Sequence, residues 1–128
     1  MSYYFSKTIN NVTFDDAVEN TRQALEIEGF GVIAEIDFQK TLKEKLGVDF
    51  RRYLILEACN PTYAFKSLNA EDKIGTLLPC NFVIQEKENG VEVSSVDPIA
   101  MMAQVKSPEM QTIAKEISEK LKRIVGSL

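Results

Sequence analysis

Histidine and tryptophan are absent from this sequence. Without histidine the chain lacks the usual general base, the commonest zinc ligand and the side chain that titrates near neutral pH. Ser-His-Asp and Cys-His arrangements are excluded outright. A surplus of positive charge is missing too: 15 Lys and Arg stand against 19 Asp and Glu, a formal net charge of −4. Phosphate backbones need a basic face, so nucleic acid is not expected as a partner. The local basic groups (Lys40, Lys43 and Lys45; Arg51 and Arg52; Lys115, Lys120, Lys122 and Arg123) are interleaved with acidic residues and read as solvated faces. No apolar run approaches the ~20 residues that a membrane helix needs, so no membrane partner is expected. Met1 to Lys7 lacks a basic stretch followed by an apolar one, so no signal peptide is read there. The expectation is a cytoplasmic chain whose two cysteines stay reduced. No metal-ligand spacing, nucleotide fingerprint or cofactor motif is present, and no cofactor is expected.

What is present is an ordinary globular composition, 45% apolar and 27% charged over 128 residues, read as one domain over 1–128. Tyr3 to Ile9 is aromatic and β-branched and reads as a strand. Thr13 caps a helix whose stripe is Phe14, Ala17, Val18, Thr21, Ala24 and Leu25, and Gly29 suits its C-terminal turn. Phe30 to Ile36 reads as a strand. Asp37 then caps a short helix with Phe38, Leu42 and Leu46 on one side, ended by Gly47. Phe50 to Cys59 is the longest strand expected. Leu54, Leu56 and Ala58 share one face with Arg52, and Tyr53, Ile55, Glu57 and Cys59 share the other. Asn60-Pro61 opens a helix carrying Ala64, Phe65 and Leu68.

Leu77 to Glu88 reads as a strand with Leu78, Cys80, Phe82 and Ile84 on one side. Asn89-Gly90 predicts a hairpin to Val91–Val96. Asp97-Pro98 and Ser107-Pro108 repeat the cap-then-proline device. The second starts a helix striped by Met110, Ile113, Ala114, Ile117, Leu121, Ile124 and Val125, expected to end at Gly126. Strands and helices do not alternate as a parallel sheet requires. The fold class is therefore α+β, β-α-β(4)-α: one antiparallel sheet, two long helices on one face, short helices in loops.

Two residues carry the sharpest chemistry. Cys59 closes one strand directly before a helix, and Cys80 opens the next long strand. If those strands are antiparallel neighbours, both thiols lie at the same end of the sheet. Their flanks mirror each other, Cys59-Asn60-Pro61 against Pro79-Cys80-Asn81. A thiol at a helix N-terminus has a pKa lowered from about 8.5 into the range of roughly 3.5–7.5, which makes Cys59 a candidate nucleophile and Cys80 its resolving partner. Against this, free cysteine is a small hydrophobe by habit, and Cys80 shares a stripe with Leu78, Phe82 and Ile84. Glu57, in an otherwise apolar strand, reads as solvated or as facing a second copy. Met101 and Met102 read as core filling or as an adaptable binding wall.

In order along the chain, Gly29-Phe30-Gly31-Val32, Glu35-Ile36-Asp37, Lys43 to Arg51, Leu56 to Pro61, Ile74 to Asn81 and Ser94 to Met102 resemble the family catalogued as domain of unknown function 302. The resemblance implies a TATA-box-binding-protein-like fold, β-α-β(4)-α, and association into a dimer. It implies no reaction. The leading expectation is a homodimeric module that binds a small ligand or a partner without catalysis. Tyr53, Glu57, Asn60, Asn81 and Met101 are its candidate binding residues. The alternative is a thiol-dependent redox or sulfur-handling protein using Cys59 and Cys80.

Overall fold

The computed structural model describes residues 2–128. Its strands are β1 (Tyr4–Ile9), β2 (Gly31–Asp37), β3 (Tyr53–Cys59), β4 (Cys80–Lys87) and β5 (Gly90–Val96). Its helices are α1 (Phe14–Ile27), α2 (Phe38–Leu46), α3 (Pro61–Ala70), α4 (Pro98–Met101) and α5 (Pro108–Ser127). The sheet runs β1-β5-β4-β3-β2, and every neighbouring pair is antiparallel. This is the α+β architecture expected from the sequence.

Each helix start follows from side-chain capping of otherwise orphaned backbone N–H groups. Thr13, Asp37, Asn60, Asp97 and Ser107 all accept a backbone N–H at their helix N-termini. Proline follows the last three, where its missing N–H is not needed. Gly29 and Gly47 take the left-handed conformation that ends α1 and α2.

The core lies between the sheet and the pair α1 and α5. α5 buries Met110, Ile113, Ala114, Ile117, Leu121, Ile124 and Val125, the whole expected stripe. Each large member contributes roughly 1.5–3 kcal/mol by leaving water. Opposite it, Leu56 and Ala58 of β3, Phe82 and Ile84 of β4, and Val91 and Val93 of β5 are buried. The other side of the sheet carries Tyr4, Ser6, Thr8, Glu92, Ser94, Asn81, Val83, Gln85, Tyr53, Ile55, Glu57 and Ile36, all exposed or half-buried. No helix covers the middle of this bare face; α2 only flanks it, where Phe38 meets the Tyr53 ring edge-on at 6.1 Å.

Several sequence expectations shift. β3 starts at Tyr53 rather than Phe50, and β4 at Cys80 rather than Leu77, because Ile74–Leu77 winds into a 3₁₀ turn that buries Ile74. α5 runs through Gly126 to Ser127. Its last turn packs on the core, and that outweighs the weak helix propensity of a single glycine. The hairpin turn is Glu88-Asn89, flanked by the pair Lys87 and Gly90. Gly90 serves a different purpose: at φ +145° it lies so close to the Ile9 carbonyl oxygen that a Cβ would collide with it. In β2, Ile33 has no partner; Val32 faces Ala58 and Ala34 faces Glu57, so the edge strand bulges by one residue.

Candidate functional site

Three of the five expected binding residues line two concavities, Tyr53 and Asn81 on one side of the sheet and Asn60 at the other, while Glu57 and Met101 line neither. The first, about 350 Å³, is a trough on the bare face lined by Tyr3, Tyr4, Tyr53, Asn81, Gln85 and Glu92 among others. Two of its polar side chains, Gln85 and Glu92, are bonded to each other, and Arg51 reaches in from its rim. Arg51 Nε donates to Gln85 Oε1 at 2.9 Å, and Gln85 Nε2 donates to Glu92 Oε1 at 3.2 Å. The Arg51 guanidinium also lies 4.4 Å above the Phe50 ring.

The second, about 230 Å³, lies between α3 and the end of the sheet where β3 finishes and β4 begins. Its walls come from Phe30 and Ile33, from Cys59, from Tyr63, Ala64, Ser67 and Leu68 of α3, and from Leu78 and Cys80. No charged side chain lines it. Asn60 holds α3 in place against α1. Its Oδ1 accepts the Tyr63 N–H at 3.4 Å, and its Nδ2 donates to the Glu28 carbonyl, also at 3.4 Å. Both ends of that amide are therefore committed to structure. Glu28 is itself clamped by α5. Arg123 donates to its two oxygens at 3.1 and 3.0 Å, which holds the Glu28 carboxyl below the usual range, and Lys120 adds a contact at 3.6 Å.

Ser67 is the unusual residue of this cavity. It is fully buried, and its Oγ has no hydrogen-bond partner among the described residues. A buried hydroxyl left unpaired costs about 1–3 kcal/mol. Tyr63, one turn earlier, is half-buried; burial, and after it the carboxylate of Glu116, push its phenol above the usual range.

The cysteine pair expected from the mirrored flanks does not form. β3 and β4 are antiparallel neighbours, as expected, but Cys80 faces Ala58 across the ladder, one residue short of Cys59. The two cysteines are therefore offset by one residue and not directly opposed, although both residues line the cavity at this end of the sheet. Both are free, and they form no pair. Cys59 is half-buried, while Cys80 is buried in the core beside Phe82. Burial, with a smaller contribution from Cys59, pushes the Cys80 thiol up to about 11. At neutral pH Cys80 is a protonated core residue and a poor resolving nucleophile.

Of the other candidates, Glu57 sits on the bare face between Ala34 and Asn81. Met101 packs half-buried against the core and lines neither concavity. Tyr63 and Ser67 are not among the expected residues, because Phe65 and Leu68 outweigh them in hydrophobicity. Phe65 and Leu68 are instead exposed, at 70% and 50%. The signal that could have found the true stripe is the small-residue spacing Tyr63, Ala64, Ser67, Ala70 at helical intervals. Among the described residues no cluster of potential ligands is arranged to hold a metal ion, and no helix is long and apolar enough to cross a membrane.

The profile of the family described as Domain of unknown function DUF302 matches residues 5–128. The chain belongs to the DUF302 family. It is also similar to an uncharacterized conserved DUF302 protein from Bacillus stearothermophilus, solved by crystallography. That likeness has a TM-score of 0.90 and 26% identity, over 98% of each chain. No curated protein matches. DUF302 membership accounts for the β-α-β(4)-α order and carries no reaction with it.

Proposed function

We propose that this DUF302 chain is a small-molecule-binding module without catalysis, and that its site is the cavity under α3. The observation that carries this reading is Ser67, a residue of the wall of an otherwise apolar cavity whose buried hydroxyl has no partner among the described residues. Ligand sites combine an apolar lining with a few directed polar groups, and a partner for Ser67 would recover the desolvation penalty. The test is amide NMR titration with ring-sized fragments. Shifts that centre on Cys59, Tyr63, Ser67 and Leu68, and vanish in Ala64→Phe, support the site. Shifts confined to the trough of the bare face, or none at all, overturn it.

A separate observation favours self-association through the bare face. Arg51, two residues before β3, is held to the bare face by Gln85, and Glu57 lies on that face within β3, six positions on, which is about 20 Å along an extended chain. Ile55 lies between them, with Val83 and Ile36 beside it. A two-fold axis running across the strands between Tyr53 and Ile55, at the midpoint of positions 51 and 57, stacks two sheets face to face. It sets Arg51 of each copy over Glu57 of the other, an isologous contact with matched charge. Sedimentation equilibrium should then give a dimer that is lost in Glu57→Lys and in Arg51→Glu and restored in the double exchange. A wild-type monomer, or single variants that stay dimeric, would refute this.

The thiol-dependent alternative draws no support from the geometry. Cys80 faces Ala58, it lies in the core, and it is protonated at neutral pH.

A further inference from the structure

We infer that the cavity under α3 selects a neutral, ring-sized, mainly apolar molecule bearing one hydrogen-bonding group, such as a phenol or an indole, and rejects carboxylates and ammonium ions of the same size. This rests on the binding reading above and adds the chemical class of the ligand.

Size sets the first limit. An apolar cavity of about 150 Å³ holds benzene. The cavity here is about 230 Å³, enough for one ring with a short substituent or a small fused ring. Polarity sets the second. Apolar atoms of Phe30, Ile33, Leu68, Leu78 and Ile117 make up most of the wall, and no Lys, Arg, Asp or Glu reaches it. An ion entering would shed its hydration and meet no counter-charge, which is the most unfavourable form of burial. The number of directed groups sets the third limit. The Asn60 amide is held by the Tyr63 N–H and the Glu28 carbonyl. The Cys80 thiol is a buried weak donor. Among the described residues Ser67 Oγ is the one buried side-chain oxygen or nitrogen without a partner, so a single polar group on the ligand satisfies the site. More would leave ligand groups unpaired in hydrocarbon.

Cys59 supplies a reporter that does not depend on knowing the natural ligand. Its thiol lies on the cavity wall and is half-buried, and the residue across the ladder is Gly31, around which a Cβ would meet nothing within 4 Å. A small alkylating agent therefore has an approach to Cys59, whereas Cys80 lies in the core.

The experiment uses phenol, toluene, benzoate and benzylamine. Binding to the full chain is measured by calorimetry and by protection of Cys59 against iodoacetamide. Phenol should bind and protect, and benzoate and benzylamine should bind at least ~100-fold more weakly than phenol, from the penalty of an unpaired buried ion. Ser67→Ala should lower the ratio of phenol to toluene affinity by roughly fivefold, the worth of one net neutral hydrogen bond. Comparing the ratio removes any general change in packing, and circular dichroism confirms that the variant is folded. Two failures are distinguishable. If benzoate or benzylamine protects Cys59 as well as phenol does, or the ratio is unchanged in Ser67→Ala, the site stands and the assigned class is wrong. If none of the four protects Cys59 and none binds, the site itself is wrong and the class falls with it.

Discussion

At the scale of single residues, the informative positions are those where side-chain identity and backbone geometry conflict with a simple pattern. Gly90 is one. Sequence reading places it in the turn, yet its conformation is dictated by the neighbouring end of β1. Gly90→Ala meets both a disfavoured φ and the Ile9 carbonyl, and should destabilise the protein by about 2–3 kcal/mol. Urea denaturation would check this, with Gly31→Ala as a control expected to change little. Cys80 is another. Its folded-state pKa is raised to about 11 from an ordinary value near 9, so the folded state favours the protonated thiol. That contribution is fully present below pH ~9 and is lost as pH rises through about 11. Two units correspond to roughly 3 kcal/mol. Wild type should therefore lose about 2 kcal/mol more stability than Cys80→Val between pH 8.5 and 11, read from denaturation midpoints at each pH. The burial of Cys80 was legible from its stripe with Phe82 and Ile84. The offset from Cys59 was not, because a register slip of one residue leaves no mark on the composition of either strand.

At the scale of elements, legibility followed the strength of the periodic signal. The long stripe of α5 and the caps at Thr13, Asp37, Asn60, Asp97 and Ser107 could be read because each is a local rule with a local cause. α3 could not. In ten residues, Phe65 and Leu68 outweigh Tyr63, Ala64 and Ser67 by hydrophobicity, but what packs inward is decided by how closely the helix approaches the sheet. Small residues on the inner side permit that approach, and the candidate cavity lies among them. The difference is measurable. Leu121→Ala on α5, fully buried, should cost about 2–5 kcal/mol. Phe65→Ala, at 70% exposure, should stay within ~0.5 kcal/mol of wild type. Thermal melts of the two variants decide whether the corrected face of α3 is right.

At the scale of the whole molecule, the sheet is a wall with helices stacked on one side. The β4–β5 hairpin, closed by the turn Glu88-Asn89, was within reach of sequence reasoning. The pairing of β1 with β5 was not: Ser6 and Ser94 share a hydroxyl contact of 3.0 Å across 88 positions, and no local rule spans that distance. The same topology separates the two concavities. Tyr53 and Asn81 alternate with core residues along their strands and so belong to the bare side, whereas Cys59 and Asn60 lie where β3 hands over to α3. Residues expected as one cluster thus divide between the bare face of the sheet and the cavity under α3.

The unpaired Ile33 has an effect on solubility. β2 forms one rim of the sheet, and rims invite other chains to extend the hydrogen-bonded ladder. Here the ladder falls out of step after Gly31 and Val32 and resumes only for Ala34–Asp37. Four residues in step fall short of the six or seven from which cross-β fibres grow, and Glu35 and Asp37 add charge to that stretch. Removing the extra residue would straighten the rim and turn it into a template for fibre growth.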